Sequence, residues 1–195
     1  MCFARLKLAL FALLACLIVP VTACADLSQN SPDKTLKVVI IRHGEKPAKQ
    51  SDSGDNLSCQ GQNHALQLAT LLYQKIGKPN YTYVPTLKFD RSTAHSRMFQ
   101  TVTPFAIKYD LTINSRYDVS NFADLANSII KKSGTVLMVW EHSGMRDLAS
   151  ALGVDNPPKW KDADYDGMWI VTYASGKAEL TFDKEGLNPS DTCSF

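Results

Sequence analysis

The sequence predicts an α/β protein, a three-layer α/β/α sandwich with a mainly parallel central sheet. Segments of strand character alternate with segments of helix character along the chain, which is typical of β-α-β units. Two of the strand segments, residues 38–41 and 135–140, are apolar at nearly every position. Such short apolar runs are expected of strands that are buried on both faces of a parallel sheet. A chain of 195 residues is long enough for one domain with a sizeable core.

The first helix is predicted from about Gln60 to Ile76. Ser58 is a favourable N-cap residue, and leucines and alanines recur on one side of the segment. The sequence Gly-Lys-Pro at residues 77–79 ends the helix. The next segment, residues 81–89, has strand character, but Pro85 places it at a sheet edge or breaks it.

The remaining elements are predicted from hydrophobic periodicity and turn residues. They are helices at 96–109, 121–132 and 145–152, a short strand at 111–114, the buried strand at 135–140, and a hairpin of residues 168–173 and 178–182 joined through Ser175-Gly176.

The first 25 residues predict a secretory signal peptide. Arg5 and Lys7 form a basic start, and the apolar stretch at residues 8–19 is too short for a comfortable membrane span. Ala23-Cys24-Ala25 fits a cleavage site of the A-x-A type. Residues 21–24 also resemble a bacterial lipobox, in which Cys24 would be lipidated and become the new N-terminus. We therefore expect an exported protein, periplasmic or lipid-anchored at the cell envelope, with a tether at 26–34 and a domain at 35–195.

Charge and cysteine content restrict the possible partners and the fold. Arg5 and Lys7 account for two of the 21 basic residues, which leaves 19 basic against 19 acidic residues after cleavage. No basic stripe remains, so we expect no nucleic-acid partner. Cys59 and Cys193 remain in the folded part, where an oxidising compartment would favour a disulfide between them; the alternative is two free thiols.

Basic side chains follow the two buried strands where those strands end. Arg42 and His43 follow the first strand, and His142 follows the strand at 135–140. Ligands of open α/β sheets bind beyond the carboxyl ends of the strands. Arg97, at the start of a helix, can add a second guanidinium. Guanidinium groups bind phosphate oxygens and a neutral imidazole is a nucleophile, so the set predicts phosphoryl transfer.

Four ordered segments carry a family resemblance. Arg42-His43-Gly44-Glu45 resembles the signature of the histidine phosphatase superfamily, which includes phosphoglycerate mutases and acid phosphatases. Residues 57–65 are similar to its Leu-Thr-x-x-Gly-x-x-Gln-Ala element, 97–101 to its Arg-x-x-Gln-Thr element, and 139–142 to its second-histidine strand. The Arg-His-Gly-Glu-Lys-Pro form is similar to that of a small, exported bacterial subgroup.

The resemblance implies a phosphoglycerate mutase-like fold and a role for each matched residue. His43 would be the nucleophile that forms a phosphohistidine. Arg42, Arg97 and His142 would bind the phosphoryl group of the substrate, and water would then release phosphate. The resemblance implies no metal and no cofactor. His64 and His95 have no role in this scheme, and we expect His64 to be a surface or capping residue.

The acid that protonates the leaving group is not evident, since Ser143 stands where larger members of the superfamily have a carboxylate. Glu45 is our first choice as this catalytic acid. The other candidates are Glu141, Asp118 and Asp124. Glu45 could instead orient Arg42 or pair with Lys46. Without an acid, the enzyme would favour good leaving groups or phosphoramidates.

The leading functional hypothesis is a metal-independent phosphatase acting on phosphomonoesters. Its partner would be a phosphorylated small molecule or an envelope phosphoester, such as a lipopolysaccharide or phosphoprotein. The alternative is a phosphate-binding or envelope lipoprotein with a degenerate catalytic site. A mutase is disfavoured because it needs an intracellular pair of phosphorylated metabolites.

Overall fold

The computed structural model describes residues 35–48, 55–89 and 93–193. The predicted signal peptide, the possible lipidation of Cys24 and the tether lie outside the described residues. No helix in the described ranges is long and apolar enough to cross a membrane. The elements in chain order are β1 (Leu36–Arg42), α1 (Cys59–Ile76), β2 (Tyr81–Tyr83), β3 (Lys88–Phe89), β4 (Thr93–Ala94), α2 (Ser96–Tyr109), β5 (Ile113–Asn114), α3 (Phe122–Ile129), β6 (Gly134–Trp140), α4 (Met145–Ala151), β7 (Gly167–Ala174) and β8 (Lys177–Lys184).

The central sheet has the strand order β5-β2-β6-β1-β7-β8. Strands β5, β2, β6 and β1 run parallel, whereas β7 and β8 are antiparallel to their neighbours. Alternate residues of β1 therefore face opposite layers. Val38 and Ile40 pack in a core with α3 and α4, while Val39 and Ile41 pack in a second core with α1 and α2. The predicted three-layer α/β/α sandwich with a mainly parallel sheet is confirmed.

The segment predicted as a strand at residues 81–89 is broken around Pro85, which is one of the two outcomes expected of that proline; the other, an edge strand, is wrong. Strand β2 ends at Tyr83, and it lies inside the sheet between β5 and β6. Beyond it, Val84 donates its N–H to Asn114 and Thr86 donates to Tyr117, while Pro85 has no N–H to donate. The chain therefore leaves the sheet, and β3 pairs with β4 in a separate ribbon.

The helix starts follow their capping residues. The side chain of Ser58 accepts a hydrogen bond from the Gly61 N–H, and α1 begins at Cys59, one residue before its predicted start. Asn121 caps α3 in the same way through the Asp124 N–H. Helix α3 ends at Ile129 instead of Lys132, because the chain turns there and the Lys132 N–H bonds to the Ile129 carbonyl.

Helix α1 approaches the loop after β1 at a contact between two glycines. A Cβ atom on Gly44 would lie only 2.9 Å from the Gly61 carbonyl oxygen, and a Cβ on Gly61 would collide with the backbone of Glu45. Ser58 also donates its N–H to the Glu45 carbonyl over 2.9 Å. The first turn of α1 therefore packs directly against the backbone that carries His43.

The C-terminal segment is tied to this same end of α1. Cys59 forms a disulfide with Cys193, with 4.9 Å between their Cα atoms and a sequence separation of 134. Asn63, one turn further along the helix, donates from its side chain to the carbonyls of Ser190 and Thr192. In the chain-entropy model, closing so long a loop contributes about 5 kcal/mol to stability.

We predict that Gly61→Ala lowers the free energy of unfolding by about 1–3 kcal/mol, because the new methyl group must push α1 away from Glu45. Urea denaturation followed by circular dichroism measures this change. Gln67→Ala, at an exposed position of the same helix, is the control and should stay within about 0.5 kcal/mol of the parent. A Gly61→Ala protein as stable as the parent would contradict the tight contact.

Candidate active site

The pairing of β1 with β6 brings the two predicted strand-end histidines to one edge of the sheet. Arg42 and Trp140 are register partners in this parallel pair. The His43 N–H extends the ladder by donating to the Trp140 carbonyl over 3.2 Å. His142 then opens a short 3₁₀ turn two residues after Trp140.

A polar pocket of about 230 Å³ lies at this edge. Its lining residues are His43, Lys46, Asp55, His95, Arg97, Met98, Glu141 and His142. Three of the four residues predicted to converge, His43, Arg97 and His142, line the pocket. Arg42 is not among the lining residues, and only 2% of its surface is exposed.

His43 is held as a neutral imidazole with one nitrogen free to react. Its Nδ1 lies 2.7 Å from the Gly44 carbonyl oxygen, which can only accept a hydrogen bond. Nδ1 therefore carries the hydrogen, and Nε2 keeps its lone pair. Burial, together with the positive charges of Arg42 and Arg97, lowers the pKa of His43 to about 3. The ring is thus unprotonated at neutral pH, as a nucleophile must be.

Arg42 is fixed by the chain that precedes β7. Its Nη1 donates to the carbonyls of Asp162 and Asp164 over 2.6 and 3.2 Å. Its Nη2 donates to the Tyr165 hydroxyl over 3.2 Å, and its guanidinium carbon lies 3.8 Å from the centre of the Tyr165 ring. Burial lowers the pKa of Arg42 from its ordinary value.

Arg97 lies in the first turn of α2 and is held from one side by Asp55. Its Nη2 lies 2.9 Å from Asp55 Oδ1. The other carboxylate oxygen of Asp55 accepts the His95 N–H over 2.6 Å, and the Asp55 carbonyl accepts the Ser96 hydroxyl. The structure thus adds Asp55 to the pocket. No motif marks this residue, because only the packing of its loop against the start of α2 places it there.

Three unsatisfied nitrogen atoms surround His43. Among the described residues, the Nε of Arg42, the Nη1 of Arg97 and the Nδ1 of His142 are buried without a hydrogen-bond partner. Unpaired buried polar groups cost free energy, so native proteins contain few of them. One nitrogen on each of two guanidinium groups and one on an imidazole therefore lack acceptors, and hydrogen-bond donors of this kind suit a compact oxyanion.

Side chains of the segment at residues 97–101, which resembles the Arg-x-x-Gln-Thr element, also hold the loop after β1 in place. The Gly44 N–H donates to the Thr101 hydroxyl oxygen over 2.9 Å, and that hydroxyl donates to the Arg97 carbonyl over 2.8 Å. Gln100 accepts the Leu57 N–H over 2.9 Å through its side-chain oxygen. Helix α2 therefore fixes both the loop after β1, which carries His43, and the chain that enters α1.

Glu45, our first choice as the acid, does not line the pocket. Both of its carboxylate oxygens lie within 3.1 Å of His64 Nδ1. The expectation that His64 is a surface or capping residue is wrong: its side chain is buried, and its Nε2 contacts Glu185. The Glu45 side chain therefore lies outside the pocket lining, and its hydrogen-bond partner is His64 rather than Arg42 or Lys46.

The other candidate acids lie in different places. Glu141 lines the pocket, where its Oε1 accepts the Ser143 hydroxyl. Asp118 accepts the hydroxyl and N–H of Ser120, and Asp124 accepts the side-chain amide of Asn121. Asp118 and Asp124 therefore stabilise the start of α3, outside the pocket lining. Of the four acids that the sequence offered, only Glu141 reaches the pocket.

The described residues hold no group of three or more histidine, cysteine, aspartate or glutamate side chains that could bind a metal ion.

No family model and no curated protein matches the chain. Solved structures do match it in fold. The protein histidine phosphatase SixA in complex with tungstate aligns with a TM-score of 0.56 and 20% identity, over 76% of this chain and 97% of that protein. Phosphoserine phosphatase from Entamoeba histolytica, a mutant in complex with phosphoserine, aligns with a TM-score of 0.53 and 11% identity, over 77% and 97%.

A third structure, a mycobacterial glucosyl-3-phosphoglycerate phosphatase, aligns with a TM-score of 0.52 and 10% identity, over 76% of this chain and 97% of that protein. At these identities the alignments show a common architecture. The chain therefore has the fold that these three phosphatases share.

Proposed function

We propose that the protein is a metal-independent phosphatase that hydrolyses phosphomonoesters through a phosphohistidine on His43. The observation that carries this proposal is the set of three buried nitrogens without acceptors around a neutral imidazole. A phosphoryl group has three non-bridging oxygens and would supply those acceptors. The fold shared with phosphatases supports the same reaction.

The first step is attack by His43 on the phosphorus atom. The oxygens of the phosphoryl group accept hydrogen bonds from Arg42 Nε, Arg97 Nη1 and a proton on His142 Nδ1. The lone pair of His43 Nε2 forms the N–P bond as the ester P–O bond breaks, and the Gly44 carbonyl holds the Nδ1 hydrogen throughout. The two guanidinium charges stabilise the charge that the equatorial oxygens carry in the transition state.

In the second step, water attacks the phosphorus atom, the bond between phosphorus and His43 Nε2 breaks, and inorganic phosphate is released. The proton of the water passes to the group that protonated the alcohol in the first step. The alcohol that leaves in the first step requires a proton, and this proton must come from a group in the pocket. Glu141 lines the pocket, while both oxygens of Asp55 already accept hydrogen bonds from Arg97 and His95. We therefore propose that Glu141, rather than Glu45, is the acid that protonates the leaving alcohol.

The substrate proposed here is a small phosphorylated molecule or an exposed envelope phosphoester, because the pocket is only about 230 Å³. Export through residues 1–25, with or without lipid attachment at Cys24, would place the enzyme in the periplasm or at the envelope. The alternative is a phosphate-binding envelope lipoprotein whose His43 never becomes phosphorylated.

The central test is the hydrolysis of p-nitrophenyl phosphate by the form that starts at residue 26, with EDTA present. We expect activity in EDTA, and a loss of at least ~1000-fold in His43→Ala, since the covalent route disappears. Circular dichroism checks that the variant is folded. Folded parent protein that binds phosphate but shows neither turnover nor acid-labile labelling of His43 would instead establish the binding role.

The assignment of the acid is tested with two substrates. Glu141→Gln should lower kcat/KM for glycerol phosphate by about 100-fold, because an alkoxide leaves poorly without a proton. The effect on p-nitrophenyl phosphate should be much smaller, because nitrophenolate leaves unprotonated. Glu45→Gln is the matched control and should affect both substrates equally. Equal effects of Glu141→Gln on both substrates would contradict the role, and a selective effect of Glu45→Gln would return it to Glu45.

The charge state of His43 is tested by a pH titration of its imidazole by ¹H–¹⁵N NMR. Since its pKa is lowered to about 3, the ring should remain neutral from pH 8 down to pH 5. An ordinary histidine would take up its proton near pH 6.5 in that range. Arg97→Gln removes one nearby positive charge and should raise the pKa. A titration midpoint of the parent His43 near 6.5 would contradict the buried, cation-lined site.

A further inference from the structure

Three titratable side chains, those of Glu45, His64 and Glu185, form a row next to the loop that carries His43. The proposed reaction does not use this row. His64 on α1 stands between Glu45, which follows the loop, and Glu185, which follows β8. Its Nδ1 lies 3.0 Å from Glu45 Oε2, and its Nε2 contacts Glu185 Oε2. The side chains of His64 and Glu185 are 4% and 1% exposed, and that of Glu45 is 14% exposed.

Both nitrogens of His64 face carboxyl oxygens, an arrangement that favours a hydrogen on each nitrogen and hence the imidazolium form. Burial alone would lower the pKa of His64, but the hydrogen bonds to Glu185 and Glu45 outweigh burial and raise it to about 10. The charged groups that face the ring are Glu45 from the loop and Glu185 from the segment after β8. Asp166, which precedes β7, adds a negative charge near Glu185.

The row connects to the nucleophile through a single peptide group. The Gly44 carbonyl accepts the Nδ1 hydrogen of His43 over 2.7 Å and thereby leaves Nε2 unprotonated. This carbonyl belongs to the peptide bond between Gly44 and Glu45, so its direction depends on where Glu45 is held. His64 fixes the side chain of Glu45, and the Ser58 N–H fixes its carbonyl over 2.9 Å.

The far end of the row is itself anchored. The Glu185 N–H donates to the Asp166 carbonyl over 2.7 Å. The chain that continues from Glu185 crosses the start of α1, where Asn63 holds the carbonyls of Ser190 and Thr192. Cys193 then closes the disulfide to Cys59. Glu185 is therefore a fixed counterion for His64.

We propose that His64, clamped as a cation between Glu45 and Glu185, is a positioning residue that fixes the Gly44 carbonyl and thereby the reactive tautomer of His43. The kinetic part of this inference rests on the proposed phosphatase function, and the structural part does not. His64 also stands where the resembling motif in residues 57–65 has glutamine. This chain thus places a positive charge where the motif has a neutral amide.

The test compares His64→Gln with the double variant His64→Gln/Glu185→Gln. In the single variant the amide can donate to one carboxylate, but its oxygen then faces the other. We expect kcat for p-nitrophenyl phosphate to fall about 10- to 100-fold with KM changed less than about threefold, because loop geometry rather than phosphate binding is disturbed. The double variant keeps Glu45 as the only carboxylate of the row, so the net charge of the row equals that of the parent and the amides can hydrogen-bond along it; kcat should recover to within about threefold of the parent.

Lys75→Gln is the matched control. Lys75 also joins α1 to β8, through an exposed ion pair with Asp183 at 2.8 Å. Its loss should leave kcat unchanged. A folded His64→Gln with the kcat of the parent, or a double variant no better than the single one, would overturn the positioning role.

A second measurement is independent of turnover. Long-range ¹H–¹⁵N NMR should show only the Nδ1–H tautomer of His43 in the parent and a mixture of tautomers in His64→Gln. If the parent does not hydrolyse p-nitrophenyl phosphate, the proposed function fails, while the tautomer comparison still decides whether His64 positions His43. An unchanged tautomer in folded His64→Gln would overturn the inference.

If His64→Gln does not fold, Glu185→Gln provides the remaining test. An amide still accepts the hydrogen of His64 Nε2, but the loss of one negative charge should lower the pKa of His64 from about 10. Because the imidazolium exists below its pKa, kcat of the parent should fall as pH rises through about 10. This decline should begin at lower pH in Glu185→Gln, and an unshifted pH profile would overturn the inference.

Discussion

The site depends on the parallel pairing of β1 with β6. The register sets Arg42 opposite Trp140, and the ladder continues by one hydrogen bond to the backbone of His43. Two histidines distant in sequence therefore leave the sheet at the same edge. Since parallel strands end at one edge, a register shift of two residues would displace His43 relative to His142 by about 6.6 Å along the strands.

Arg42 and Arg97 bring positive charges into a buried environment, and these charges need polar or negatively charged partners. Carbonyl oxygens of residues 162 and 164 accept hydrogen bonds from Arg42, and Asp55 pairs with Arg97. These partners leave one buried nitrogen on each guanidinium without an acceptor. The compensation is thus incomplete at these two atoms. Burial and these cations also lower the pKa of His43 and keep its ring neutral.

A second charged arrangement lies behind the nucleophile. The imidazolium of His64 holds Glu45 away from the pocket, and the glycine contact between Gly44 and Gly61 lets α1 approach closely enough to make this bond. The disulfide and Asn63 bring Glu185 to the other side of the ring. The loop after β1 is consequently held by contacts with both α2 and α1.

The sequence by itself determined the fold class, the positions of most elements and three residues of the pocket, His43, Arg97 and His142. Strand burial, capping and breaking residues are local signals, and Ser58, Gly77 and the apolar run of β6 act where they stand in the chain. The convergence of His43, Arg97 and His142 was also predictable, because parallel strands end at one edge and the motifs stand in a fixed order.

Only the tertiary structure decided which acidic side chains line the pocket. Glu45 is adjacent in sequence to the nucleophile loop, yet it turns to His64, whereas Glu141 and Asp55 reach the pocket. His64 looked like a helix-surface residue because its partner Glu185 is 121 positions away. The direction of a charged side chain depends on which opposite charges folding brings near it, and sequence spacing carries no information about that.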